Sequence, residues 1–206
     1  MIKTIFIDFD GVIRHWANHD IKSAEMKSGL PEGTLFKYAF DNQFLLPAIT
    51  GKQSHRDWVI KVEDAISRDF DKDAAITLTQ AWLKADCFVD RGFLDKVRKS
   101  IPEAKMVLVT NATDKLDEDL SSHHLLYSFD LVINSATIGI AKPDPSFFQH
   151  ALKLMKTEPE YAVFIDDQLK NVREAEKHGM HGIHHTDKVQ TLINLNTLSR
   201  CSFAYH

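Results

Sequence analysis

Two aspartates separated by one phenylalanine stand at the end of the first apolar run of this 206-residue chain, Lys3-Thr4-Ile5-Phe6-Ile7-Asp8-Phe9-Asp10-Gly11-Val12-Ile13. The run reads as a buried parallel strand that ends in a polar site. Side chains two apart on an extended chain project to the same side, so Asp8 and Asp10 are expected to present two carboxylates to one spot as the strand runs out. Two such groups repel, and become tolerable when a divalent cation lies between them or when one is protonated. A plainer possibility stands beside this one: one aspartate caps a turn, the other is solvated, and Gly11 supplies a left-handed backbone position.

Three further polar features follow strand-like runs or sit between them. Thr110 and Asn111 follow Met106-Val107-Leu108-Val109, Lys142 lies in the loop Ala141-Lys142-Pro143-Asp144-Pro145, and Asp166-Asp167 follow Tyr161-Ala162-Val163-Phe164-Ile165. Taken singly, each has an ordinary explanation: a threonine that caps a helix, a solvated lysine, an acidic pair that meets a helix dipole. Together they supply carboxylates for a hard cation such as Mg²⁺, and a hydroxyl, N–H groups and an ammonium for phosphoryl oxygens.

The elements that must position these groups alternate. Helical patterns at Asp90–Ser100, Lys115–His124, Pro145–Met155, Gln168–Gly179 and Lys188–Leu195 separate strand-like runs at Lys105–Val109, Phe129–Asn134, Tyr161–Ile165 and Gly182–His185. Such alternation predicts right-handed crossovers and an α/β fold whose parallel sheet binds ligands at the carboxyl ends of its strands. The segment from Arg14 to Phe88 differs: after Ile13 it shows no strong strand run, and it is rich in helix formers and aromatic residues. It is long enough for a small helical subdomain that emerges beside the first strand and roofs the site. Inside it, Ser54-His55-Arg56-Asp57 has capping-box spacing and opens a helix expected to reach about Arg68, and Asp71 or Asp73 opens a second one through Leu83. Gly51-Lys52 lacks the rest of a phosphate loop and reads as a turn and a cap. The tail from Ser199 carries little pattern.

Composition narrows the function classes. With 44% hydrophobic residues the chain can bury a full core. A net charge of −4, a pI near 6.2 and no long Lys/Arg block argue against nucleic acid as a partner. No segment has the length of a membrane span, the apolar run before Asp8 is too short for a signal peptide, and Cys87 and Cys201 lack metal or disulfide spacing. A protein of the reducing cytoplasm is the expectation.

The motifs, in this order, resemble those of the haloacid dehalogenase-like (HAD) superfamily, in the group with a helical cap inserted after the first strand. Asp8-Phe9-Asp10-Gly11-Val12-Ile13, Val107-Leu108-Val109-Thr110-Asn111, Lys142-Pro143-Asp144-Pro145 and Phe164-Ile165-Asp166-Asp167-Gln168-Leu169-Lys170-Asn171 match its four motifs, from residue 2 to about 186. The resemblance implies a Rossmann-like three-layer core with a five-stranded parallel sheet (1–13 and 89–206) and an α-helical cap subdomain (14–88). It implies a phosphatase that acts on a small phosphorylated metabolite, a sugar phosphate or a nucleotide, through an aspartyl-phosphate intermediate. Asp8 would be the nucleophile and Asp10 the acid and base; Thr110, Asn111 and Lys142 would bind the phosphoryl group; Asp8, Asp167 and the Asp10 carbonyl would hold Mg²⁺, with Asp166 in support. Asn171 would steady Lys142 or the acidic pair. A sugar phosphomutase of β-phosphoglucomutase type uses the same constellation and is the alternative. A dehalogenase needs neither Mg²⁺ nor an acid at Asp10, and a non-catalytic binding module would not need every position filled. Arg14, His15, Trp16, His19, Lys52, His55 and Arg56 are the candidates to face the leaving group.

Overall fold

The structure is a computed structural model that describes residues 1–201, so most of the unpatterned tail lies outside the described residues. Strand β1 (Thr4–Ile7) is followed by a short β2 (Arg14–Trp16), by five helices, α1 (His19–Lys27), α2 (Thr34–Ala39), α3 (Asn42–Ile49), α4 (His55–Asp69) and α5 (Lys72–Leu83), and by β3 (Cys87–Val89). Then come α6 (Arg91–Ser100), β4 (Lys105–Thr110), α7 (Leu116–Ser122), β5 (Leu131–Asn134), α8 (Ser135–Ile138), α9 (Pro145–Met155), β6 (Ala162–Asp166), α10 (Leu169–Lys177), β7 (His181–His184) and α11 (Lys188–Cys201).

Five strands form a parallel sheet in the order β5-β4-β1-β6-β7, the Rossmann-like arrangement that the family resemblance implies. All four residues of β1 are buried, because both faces of the sheet are covered. Ile5 and Ile7 point into one cluster with Phe93, Val97, Leu120 and Leu195, whereas Phe6 points into another with Phe147, Phe148 and Phe164. Three layers result. Register is what matters for the site: Ile7 lies beside Leu108 on one side and Ile165 on the other. The next residue of each strand, Asp8, Val109 and Asp166, therefore reaches the same level at the carboxyl edge.

Two elements depart from the expected pattern. β2 and β3 pair antiparallel, Arg14 with Val89 and Trp16 with Cys87, at the two ends of the segment expected to be only helical. Each is three residues long and its partner is some seventy residues away, so no periodicity within either run marks it. Helix α11 also continues past Leu195, because Leu192, Leu195 and Leu198 keep a stripe on the core. Between the paired strands, α1–α5 form a helical insertion with its own buried cluster, which includes Leu35, Trp58, Val62, Ile66, Ala75 and Leu78. α4 starts as its sequence predicts, with the Ser54 hydroxyl accepting from the Asp57 N–H at 3.0 Å, and Asp71 caps α5 through the Ala74 N–H at 3.0 Å. Among the described residues no helix is long and apolar enough to cross a membrane.

Since the insertion's cluster is separate from the two that flank the sheet, its stability can be probed by itself. Leu78→Ala, at a fully buried position, is expected to cost about 2–5 kcal/mol, whereas Ile60→Ala on the exposed side of α4 should stay within about 0.5 kcal/mol. Urea unfolding followed by tryptophan fluorescence measures both, since Trp58 and Trp82 belong to or border this cluster.

Candidate active site

β1 stops at Ile7, and Asp8 is still held to the sheet by its N–H, which donates to the Ile165 carbonyl at 2.9 Å. Its carboxylate meets the Lys142 ammonium, Nζ to Oδ1 2.9 Å. The same Nζ donates to Asp166 Oδ2 at 2.7 Å and to the Val109 carbonyl at 2.9 Å. Three N–H bonds of a side chain that is 1% exposed thus go to the three residues that the register brings level. The loop carrying Lys142 is fastened by Asn111, whose side-chain amide donates to the Lys142 carbonyl and accepts from the Lys142 N–H, each at 2.8 Å.

Asp166 is wholly buried and saturated with donors. Besides Lys142, its Oδ1 accepts from the Gln168 N–H at 2.8 Å, and the Asn171 amide lies 3.0 and 3.1 Å from its two oxygens. Asn171 therefore steadies the acidic pair, one of the two roles anticipated for it. Asp167 is half-buried, accepts from the Gln168 amide at 2.9 Å, and packs against Gly11. Gly11 has φ +81°, and a Cβ there would come within 2.4 Å of Asp167 Oδ2, so both the turn and the approach of this carboxylate require glycine.

One buried ammonium is shared by two carboxylates, Asp8 and Asp166, with the carboxylate of Asp167 close by. Burial opposes the charge of Lys142, yet the charges of Asp8 and Asp166 outweigh it and raise the lysine pKa. Burial also pushes the Asp8 carboxyl up, to about 7, with Lys142 pulling it down and Asp166 adding repulsion. The Asp167 carboxyl is likewise raised, first by burial and then by Asp166. Asp8, Asp166 and Asp167 each offer an oxygen within 4.8 Å of the others. An all-oxygen set with unbalanced negative charge is what a hard divalent cation fits.

The Asp10 carboxylate does not join this set. After Asp8 the chain leaves the extended conformation: the Phe9 carbonyl accepts from the Ile13 and Arg14 N–H groups at 2.9 and 2.8 Å, and the Phe9 ring is buried in the core. The turn places the Asp10 carboxylate on Arg14 and Trp16. Thr110, 1% exposed, ends β4 at the same edge of the sheet. Of the residues expected to face a leaving group, Arg14 is instead buried on Asp10, Lys52 and Arg56 are exposed, and His19 is exposed beside Asp20. His55 ties the insertion to the loop after Thr110: its Nδ1 lies 3.2 Å from Thr113 Oγ1, and its N–H donates to Asp114 at 2.7 Å.

Residues 2–179 match the family model of the haloacid dehalogenase-like hydrolases. The chain belongs to this family. A stretch of 73 residues is 41% identical to a sesquiterpene phosphatase of Aspergillus oryzae, covering 35% of this chain and 37% of that protein. Bifunctional epoxide hydrolase 2 of Sus scrofa is 27% identical over 199 residues, 84% of this chain and 35% of the relative. The matches thus span little more than a third of either relative. A HAD family enzyme of Bacteroides thetaiotaomicron, solved in complex with magnesium and inorganic phosphate, shares the fold with a TM-score of 0.66 and 20% identity, over 88% of this chain and 92% of that one.

In this HAD-like hydrolase the sequence motifs omit two supports. Ser135, fully buried at the start of α8, accepts from the Ala112 N–H at 3.1 Å, and the Asn134 amide donates to the Thr113 carbonyl at 2.9 Å. Both hold the loop after Thr110 from a neighbouring strand, and only the polar end of the Phe129–Asn134 run hinted at them. Lys142→Met is expected to destabilise the fold by about 3–5 kcal/mol at neutral pH, because it leaves Asp8 and Asp166 face to face without their cation. Denaturant unfolding should show the loss shrink in Lys142→Met/Asp166→Asn, which removes one of the two stranded charges.

Proposed function

We propose that this hydrolase is a Mg²⁺-dependent phosphatase that acts on a small phosphomonoester through an aspartyl phosphate on Asp8. The observation that carries the reading is the Asp8 carboxylate held at the sheet edge by a buried lysine, with two further carboxylates within 4.8 Å. A relative named as a phosphatase and a fold neighbour that holds magnesium and phosphate support it. The residues proposed to hold Mg²⁺ are Asp8, Asp167 and the main-chain carbonyl of Asp10, with Asp166 behind them. When bound, the ion supplies the positive charge that lets a carboxylate approach an anionic phosphoryl group.

This chain's own residues do the rest. The Asp8 oxygen not engaged by Lys142 attacks phosphorus, while Lys142 offsets charge and fixes the carboxylate's direction. The Thr110 hydroxyl and the Asn111 N–H bind phosphoryl oxygens. As the P–O bond to the leaving group breaks, Asp10 gives that oxygen a proton; Asp10 then takes a proton from the water that attacks phosphorus and releases Asp8. Residues 14–88 act as a cap over this edge, a division that fits the separate cluster of α1–α5 and the His55 contact with the Thr113–Asp114 loop.

Two tests follow. Phosphate release from a panel of phosphomonoesters should cease in EDTA and return with Mg²⁺; full turnover in EDTA-treated protein would sink the assignment. With p-nitrophenyl phosphate, whose leaving group needs little protonation, Asp10→Asn should still form the phosphoenzyme but hydrolyse it roughly 10²–10⁴-fold more slowly. Intact-mass analysis after acid quenching should then show a phosphate adduct in Asp10→Asn and none in Asp8→Asn. An adduct in Asp8→Asn would refute the nucleophile.

A further inference from the structure

The turn that separates Asp10 from Asp8 is built around Arg14. Its N–H donates to the Phe9 carbonyl and its own carbonyl accepts from the Gly11 N–H, each at 2.8 Å, so the backbone on both sides of Asp10 is pinned to it. The guanidinium meets the Asp10 carboxylate side-on, Nε to Oδ1 at 2.7 Å and Nη2 to Oδ2 at 2.8 Å. Its remaining arm, Nη1, donates to Asp119 Oδ2 of α7 at 2.7 Å, and Lys115 pairs with the other Asp119 oxygen. The rings of Phe9 and Trp16 lie 4.3 and 4.6 Å from its central carbon. With 5% exposure, Arg14 is a fixed anchor; the Asp10 side chain it grips is 40% exposed and faces solvent. Trp16 adds a third donor, its indole N–H lying 2.8 Å from Asp10 Oδ1.

A carboxylate has about four in-plane acceptor positions, two on each oxygen. Arg14 Nε and Trp16 Nε1 take both on Oδ1, and Arg14 Nη2 takes one on Oδ2. We propose that Arg14, with Trp16, is a positioning residue for proton transfer by Asp10, leaving one lone pair of Oδ2 as the path by which the proton enters and leaves. The role rests on the phosphatase reading above. In the first step the Asp8–phosphorus bond forms, the bond to the leaving oxygen breaks, and the proton on Oδ2 passes to that oxygen. In the second, the same lone pair accepts the proton of the attacking water as the Asp8–phosphorus bond breaks. A planar fork held by Asp119 fixes this direction, which a lysine ammonium in the same place would not do.

The experiment compares wild type, Arg14→Lys and Trp16→Phe on p-nitrophenyl phosphate and on an alkyl phosphate of similar size, with folding checked by circular dichroism. For the alkyl ester, kcat should fall by about tenfold or more in Arg14→Lys and less in Trp16→Phe, a part of the roughly 10²–10⁴ that a full loss of acid–base help costs, with KM within about threefold. On p-nitrophenyl phosphate the burst should survive in both and trapped phosphoenzyme should rise, because only breakdown still needs Asp10. Loss of the burst on p-nitrophenyl phosphate, kcat on the alkyl ester within twofold of wild type, or faster turnover would overturn the proposal. If Arg14→Lys does not fold, Trp16→Phe decides alone, since it keeps the ring and removes only the N–H. Wild-type protein that releases no phosphate and traps none in the same assay would instead defeat the phosphatase reading.

Discussion

Everything at the carboxyl edge of the sheet depends on a single buried ammonium. Lys142 spends its three N–H bonds on Asp8, Asp166 and the Val109 carbonyl, and so ties together the ends of the three central strands. Burying a lysine is costly unless each N–H finds a partner and the charge is offset, and here both conditions are met by residues that the parallel register delivers to one level. The reverse also holds. Without that cation, Asp8 and Asp166 could not both be ionised at this depth, so the lysine that orients the proposed nucleophile also makes its burial possible.

The compensation is incomplete, and the shortfall has chemical content. One positive charge faces three carboxylates, so the pKa values of Asp8 and Asp167 are raised by burial and by mutual repulsion. A site made only for stability would have fewer acids or a second base. Asp166, by contrast, is saturated by Lys142, Gln168 and Asn171 and has little left to give a ligand. The labour is divided within the pair: the wholly buried aspartate organises the lysine, and the half-buried one, fitted against Gly11, is the one proposed to meet a cation.

How much of this was legible follows from the range of each interaction. The parallel sheet, its helices and the polar ends of β1, β4 and β6 could be read because alternation and capping are local patterns. The convergence of Asp8, Lys142 and Asp166 was legible as a set of motifs in order, although none of them states the three-way bond of the lysine. What the sequence could not show were pairings between distant segments: β2 with β3, Arg14 with Asp119, and Ser135 and Asn134 with the loop after Thr110. Arg14 is the instructive case. As a charged residue after a strand it looked like a surface group free to meet a leaving group, and only its partners reveal it as buried.

The different partners of Asp8 and Asp10 have the same origin, and they give the two carboxylates different surroundings. A period of two would place both carboxylates on one face, but that argument holds only while the chain stays extended, and the buried Phe9 ring, with a carbonyl that accepts from Val12, Ile13 and Arg14, ends the extension after Asp8. A nucleophile needs its charge compensated while keeping one oxygen open, which the single contact of Lys142 with Asp8 Oδ1 allows. The proposed acid and base needs contact with solvent and a defined direction. The fork of Arg14 gives Asp10 the direction, and the 40% exposure of its side chain gives the contact with solvent.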